Sequence, residues 1–138
     1  MNKYLLDTST FSLLMQDNSR VKGHLNNLTK SDYPFICPIV KGEILFGIDW
    51  LPTGKRRQNL QQKANELFAA ISCDPIPDKV ADTYALIKVA AKKQGTSLDE
   101  NDLWIAATAL TLDAILVTSD SDYQRISGLG LRLENWNK

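Results

Sequence analysis

Histidine occurs once, at His24, and cysteine only twice, at Cys37 and Cys73. A lone histidine argues against a serine–histidine–aspartate triad and against a multi-histidine metal centre. The cysteines stand far apart and outside any CxxC spacing, so neither a zinc site nor a disulfide framework is signalled, and both read as small core residues. Charge of one sign is missing too: 16 Lys+Arg against 16 Asp+Glu give a formal net charge of zero, from which no nucleic-acid partner can be inferred. The one local exception is Lys55-Arg56-Arg57, which reads either as a solvated helix start or as a contact to phosphate. No apolar run approaches the roughly 20 residues needed to span a bilayer, and MNKYLLDTSTF holds no stretch of signal-peptide length. A cytoplasmic protein with no membrane partner is therefore expected, and any hydrolytic chemistry must lean on carboxylates.

What is present is ordinary for a globular chain. Hydrophobic residues make up 43% and charged residues 23%, which excludes a disordered or fibrous class, and 138 residues suit one domain, residues 1–138, with one core. Tyr4 to Leu6 is a short apolar run that stops at Asp7, and Thr8, Ser9 and Thr10 then suit a helix start, giving strand, turn, helix. A second helix is expected over Ser19 to Leu28. Phe35-Ile36-Cys37 reads as a buried strand ending before Pro38, because proline cannot donate to a central ladder. Val40, Ile44, Leu45 and Ile48 have helical spacing within Ile39 to Trp50, and Lys55 to Ala70 reads as a polar helix.

A short run at Ala70 to Cys73 precedes the turn-rich Cys73 to Asp78, and a helix with Val80, Tyr84, Ile87 and Ala91 on one face closes at Gly95. Ser97 and Glu100 have capping-box spacing ahead of Leu103 to Leu112, which is apolar on nearly all sides and so a buried central helix. Ala114 to Val117 is the clearest strand, followed by Thr118-Ser119-Asp120-Ser121-Asp122, a short helix around Tyr123 to Ile126, and a last strand near Leu131 to Leu133. Short apolar strands alternating with helices imply an α/β fold with a mostly parallel sheet covered on both faces. In such sheets ligands gather beyond the carboxyl ends of the strands, where Asp7 and Asp120 both fall.

Asp7, Glu43, Asp102 and Asp120 each lie in or beside an apolar segment, where a charge is costly unless paired or coordinated. Singly, each has a structural reading: turn chemistry or capping for Asp7 and Asp120, a solvent-reaching side chain for Glu43, helix-dipole stabilisation for Asp102. As a set they would repel one another and raise each other's pKa, a conflict that a divalent cation resolves. Hard oxygen donors select Mg2+, with Mn2+ as the alternative, and such ions favour phosphate oxygens, so a phosphodiester substrate is implied.

Four stretches carry a resemblance: Leu6-Asp7-Thr8-Ser9-Thr10-Phe11, the glutamate within Val40-Lys41-Gly42-Glu43-Ile44, Asn101 to Ala107, and Leu116-Val117-Thr118-Ser119-Asp120. In order and spacing they resemble the four acidic motifs of PIN domains, and Ile126-Ser127-Gly128-Leu129 with the late Trp136 is similar to the tail of VapC-type toxins. The resemblance covers essentially the whole chain. It implies a three-layer α/β/α fold, a metal-dependent endoribonuclease, a toxin of a type II toxin–antitoxin system, a cognate antitoxin whose tail blocks the site, and a homodimer. It carries over Asp7, Glu43, Asp102 and Asp120 as the catalytic quartet, with Asp7, Asp102 and Asp120 as metal ligands, Asp7 and Asp102 foremost, and Thr8 and Thr118 orienting them. Transfer RNA is the target that the family's habit suggests. The chain departs from the usual pattern at Ser9, where many relatives carry asparagine, which alters a hydrogen bond supporting the site. Asp99, Glu100 and Asp122 are left outside the quartet, Glu100 as a capping residue and Asp122 as a turn residue.

In the implied mechanism the cation polarises the scissile phosphate and acidifies a water that attacks in line, with Glu43 or Asp120 as the base, and four carboxylates suffice for either one ion or two. A receiver-type signalling module would want an adjacent acidic pair after the first strand, and an aspartate-nucleophile phosphatase a second aspartate two residues on; Thr8 and Ser9 stand there instead. A housekeeping PIN nuclease and a non-catalytic PIN module that binds RNA or a partner remain as alternatives.

Overall fold

The computed structural model describes residues 1–96 and 98–138. The apolar run after the first two residues forms β1 (Lys3–Leu6), and the elements that follow are α1 (Thr8–Met15), α2 (Ser19–Asn26), β2 (Tyr33–Ile36), α3 (Pro38–Asp49), α4 (Lys55–Ala70), β3 (Ser72–Cys73), α5 (Val80–Lys93), α6 (Glu100–Thr111), β4 (Ile115–Val117), a 3-10 helix over Ser121–Leu129, and β5 (Leu133–Glu134). All four strand pairings are parallel, in the order β3-β2-β1-β4-β5. β1 is the middle strand, with Leu5 opposite both Phe35 and Leu116. The chain steps from β1 out through β2 to β3, then returns across β1 to β4. Crossovers of the usual right hand then put α5 and α6 on the opposite face from α1 to α4, the expected three-layer α/β/α arrangement. The packing agrees: α1 lies against α2, α3 and α4, whereas α5 lies against α6 and the 3-10 helix.

Burial on both faces explains why the strands are continuously apolar rather than alternating. Leu5, Leu6, Ile36, Leu116 and Val117 are all fully buried, and Ile105, Ala106, Ala107 and Ala109 of α6 join them from one side. Cys37 is buried with this core and Cys73 half-buried beside it. Gly95 ends α5 with φ of 69°, where Thr96 N–H donates to Ala91 O at 2.9 Å and Gly95 N–H to Lys92 O at 3.1 Å, the double bond of a left-handed helix stop.

Three boundaries differ from expectation. β2 starts two residues early and contains Pro34. Tyr33 N–H donates to Asn2 O, so alternation turns the Pro34 nitrogen toward β3, which begins only opposite Phe35, and no ladder bond is lost. β5 lies at Leu133–Glu134 rather than Leu131–Leu133, because the 3-10 helix runs on to Leu129. α6 begins at Glu100 with Asp99 in the N-cap position, and the Glu100 carboxylate is taken by Lys88 and Tyr84 instead of reaching back in a capping box; its expected partner Ser97 lies outside the described residues.

Candidate active site at the switch point of the sheet

Strand order reverses between β1 and β4, and the residues just past these two strands stand next to each other there, at the usual ligand position in an open parallel sheet. Asp7 is the first residue beyond β1, and its N–H extends the ladder to Val117 O at 3.0 Å. Its side chain caps α1, accepting from Thr10 N–H at 2.9 Å, and it also accepts from the Ser9 hydroxyl at 2.8 and 3.0 Å. Only 4% of Asp7 is exposed. Burial pushes its carboxyl above the ordinary value, against the hydrogen bonds from Thr118, Thr10 and Ser9 that favour the charged form.

Thr118, just past β4, touches both strand-end aspartates. Its hydroxyl reaches Asp7 and accepts from Asp120 N–H at 2.9 Å. Asp120 in turn accepts from Asp122 N–H at 2.9 Å and so opens the 3-10 helix. The turn reading of Asp120 is thus realised, and Thr118 sets it beside Asp7. Ser9 links the two strand ends as well, since its oxygen accepts from Ser119 N–H at 3.3 Å while its proton goes to Asp7.

Asp102 stands in the first turn of α6, where the helix amino terminus favours negative charge. Tyr123 O–H donates to its Oδ1 at 3.0 Å. Desolvation drives the Asp102 carboxyl up to about 6, opposed by the Tyr123 bond and reinforced by the nearby charges of Asp99, Asp120 and Glu43. Tyr123 is 1% exposed, and burial together with Asp102, Asp7 and Asp120 holds its own proton far more firmly than usual. These mutual influences bring three quartet members around one buried phenol. Glu43, half-buried on α3, is held at both oxygens, by Thr8 O–H at 2.5 Å and Asn101 N–H at 3.4 Å.

Sequence reasoning missed Tyr123 and Asn101. A tyrosine in a mostly apolar helical turn is a hint, since a buried phenol needs a partner. Nothing local named Asp102 as that partner. Asn101 bonds across to another helix, 58 residues away in sequence. Of the acids set aside, Glu100 pairs with Lys88 at 3.2 Å rather than capping α6, and Asp122 opens the 3-10 helix and pairs with Arg125 at 3.4 Å. His24 stacks on Trp136, with ring centroids 5.6 Å apart.

Among the described residues no three His, Cys, Asp or Glu side chains form a ready-made metal cage. A closed cage is what zinc or calcium would want. The donor set here is all carboxylate and partly open to solvent at Glu43, a chemistry that suits a hydrated Mg2+, which keeps several waters and takes only one or two carboxylates.

Known proteins are similar to this chain in sequence and in fold. The PIN domain family model matches residues 4–129. Ribonuclease VapC1 of Haemophilus influenzae is 26% identical, the alignment covering 98% of each chain. Toxin FitB of Neisseria gonorrhoeae is 33% identical over 85% of this chain and 87% of its own. The solved structure of VapBC2 from Rickettsia felis, bound to a DNA fragment from its promoter, superposes with a TM-score of 0.88 at 25% identity, covering 97% of this chain and 98% of that one.

Proposed function

The chain belongs to the PIN domain family, and from that membership we propose that it is a VapC-type ribonuclease, the toxin of a toxin–antitoxin pair, which cuts RNA with Mg2+ at Asp7, Glu43, Asp102 and Asp120. The observation that carries the proposal is the gathering of Asp102, Asp7 and Asp120 around the buried Tyr123 hydroxyl at the reversal point of a parallel sheet, where Asp102, raised chiefly by burial, also feels the charges of Asp99, Asp120 and Glu43. Such crowding is costly for the protein alone and useful once a cation is bound. No helix among the described residues is long and apolar enough to cross a membrane.

Asp7 and Asp102 would hold the ion, with Asp120 beside them. When bound, the ion supplies charge neutralisation at the phosphate and acidifies water. The chain's own part is positional. Ser9 and Thr118 fix Asp7, Tyr123 fixes Asp102, and α1 is anchored by the same Asp7 that faces the crevice. Glu43, clamped by Thr8 and Asn101, keeps further lone pairs with which to accept the proton of the attacking water. The cognate antitoxin would restrain this activity by covering the crevice, and a homodimer would present two such sites; transfer RNA is the expected target.

The test is incubation of total bacterial RNA with antitoxin-free protein and Mg2+, beside a chelator control and Asp7→Asn. Discrete fragments only with native protein and metal support the proposal, and their ends name the target. A folded native chain that binds metal yet leaves RNA as intact as the variant does would end the catalytic reading.

A further inference from the structure

Beside the carboxylates lies a polar cavity that the nuclease chemistry does not use. It has a volume of about 220 Å³ and is lined by Thr118 and Asp120 together with Leu133, Glu134, Asn135 and Lys138. Thr118 N–H donates to Glu134 O at 2.9 Å, so the cavity stands past the carboxyl ends of β4 and β5, one strand further along the sheet than the meeting of β1 with β4. Its β5 side is held firmly. Trp136, only 2% exposed, donates its indole N–H to Glu134 Oε1 at 3.0 Å. Asn137 N–H donates to Asn135 Oδ1 at 2.9 Å, and the Asn137 side chain accepts from Asn18 Nδ2 at 3.1 Å, which ties the tail to the cap of α2. Each of these bonds fixes one polar end of a side chain and leaves the other end for a ligand. Glu134 keeps an oxygen that can only accept, and Asn135 keeps an amide N–H2 that can only donate.

We infer that this cavity is a subsite for one base of the RNA, that of a nucleotide flanking the scissile phosphate, and that it selects a base bearing an exocyclic amino group. The inference rests on the nuclease reading above: Asp120 belongs both to the carboxylate set and to the cavity wall, so a strand cut at the one has its next nucleotide at the other. Adenine, cytosine and guanine each set an amino donor beside a ring-nitrogen acceptor, the pattern that Glu134 and Asn135 complement; uracil has neither group. The charge on Glu134 strengthens its bond to the amino group, and Leu133 offers the ring an apolar face. A phosphate does not suit the cavity, because Asp120 and Glu134 repel it. A guanidinium, which only donates, opposes both the Asn135 amide and the Lys138 ammonium. At about 30 Å³ per water the space holds on the order of seven waters, enough for a single ring system and not for a stacked pair.

The experiment is fluorescence anisotropy of labelled oligocytidylate against oligouridylate of equal length, with Ca2+ replacing Mg2+ to prevent cleavage. The two carry the same phosphates and differ only where cytosine has its amino group and ring acceptor. Native chain should bind oligocytidylate at least about fivefold more tightly, the lower end of what one well-placed base contact is worth. Glu134→Gln keeps an oxygen for the Trp136 N–H and turns the free oxygen into a donor; Asn135→Asp keeps an oxygen for the Asn137 N–H and turns the free amide into an acceptor. Glu134→Gln alone should erase the preference. The two together leave net charge unchanged, so attraction to phosphate is retained, and they should reverse the preference toward oligouridylate, whose carbonyl and ring N–H they match. Both side chains are exposed, so folding should be retained, as circular dichroism would show. A merely structural role for the pair would weaken both oligomers alike. Equal native affinity for the two, a preference that the double variant leaves in place, equal losses for both, or no binding by native chain would each overturn the subsite. Cleavage in Mg2+ is scored separately: a chain that discriminates through Glu134 and Asn135 but never cuts keeps the subsite and loses the nuclease reading, and one that cuts without discriminating does the reverse.

Discussion

Asp7 serves two purposes that a pair of substitutions can separate. As the α1 cap it needs an oxygen that accepts from Thr10 N–H, and as a cation ligand it needs negative charge. Asp7→Asn keeps the oxygen and removes the charge; Asp7→Ala removes both. Asparagine caps about as well as aspartate, and a neutral amide escapes the burial penalty that lifts the Asp7 carboxyl, so without metal the Asn variant should lie within about 1 kcal/mol of native. Alanine loses the cap to Thr10 N–H, worth about 1 kcal/mol, and also leaves the buried Thr118 hydroxyl without its Asp7 acceptor, at roughly another 1 kcal/mol. For 138 residues the unfolding entropy is about 0.29 kcal/mol/K, so Asp7→Ala should melt about 7 °C below Asp7→Asn. Both should lose RNA cleavage by on the order of 100-fold or more, and neither should gain the Mg2+ stabilisation that native chain shows. Scanning calorimetry with and without Mg2+, beside a cleavage assay, reads all three effects. The reasoning is refuted if the two variants melt together, or if Asp7→Asn cleaves at the native rate.

Tyr123→Phe removes the bond that favours ionised Asp102, so the acidic limb of the cleavage profile should move to higher pH, with activity down roughly 10- to 100-fold near neutrality and partly recovered in alkali. The Asp102 carboxyl is raised in the fold, so the folded chain holds that proton longer than the unfolded one. The stability it contributes is fully present below about pH 4 and is lost as pH rises through about 6. Denaturant midpoints of metal-free native chain, referred to Asp102→Asn, should therefore fall across that window and be restored by Mg2+ above it. Thr10→Val deletes the buried bond from Thr10 O–H to Val117 O at 2.8 Å but leaves that carbonyl paired with Asp7 N–H, so it should cost about 1 kcal/mol in denaturant melts and spare specific activity. Gly95→Ala puts a side chain at φ of 69° and should likewise cost about 1 kcal/mol by calorimetry without altering cleavage.

Much of this architecture can be read along the chain because its strands are buried on both faces. Tyr4 to Leu6 and Ala114 to Val117 stand out as short apolar runs, and each is punctuated by the residues that open the crevice, Asp7 and Thr118 to Asp120. Glu43 and Asp102 are visible as acids on otherwise buried helices. What cannot be read is what arises between elements. The Tyr123 bond to Asp102 and the Asn101 bond to Glu43 depend on how the 3-10 helix and α6 pack, and neither has a local pattern. The early start of β2 is equally hidden, because Pro34 is tolerated there only through the shortness of the neighbouring strand, a property of β3 rather than of β2. The Ser97 and Glu100 spacing misleads because Lys88 and Tyr84, on another helix, compete for the same carboxylate.

The claim underneath the whole account is that these carboxylates are a cation site, and Mn2+ titrated into metal-free protein tests it most directly, by paramagnetic resonance of the free ion beside Asp102→Asn. The account requires saturable binding by native chain at neutral pH, weakened at least about tenfold in the variant and lost on acidification below about pH 6. Native chain that leaves Mn2+ free, or a variant that binds it as tightly as native, would contradict the account.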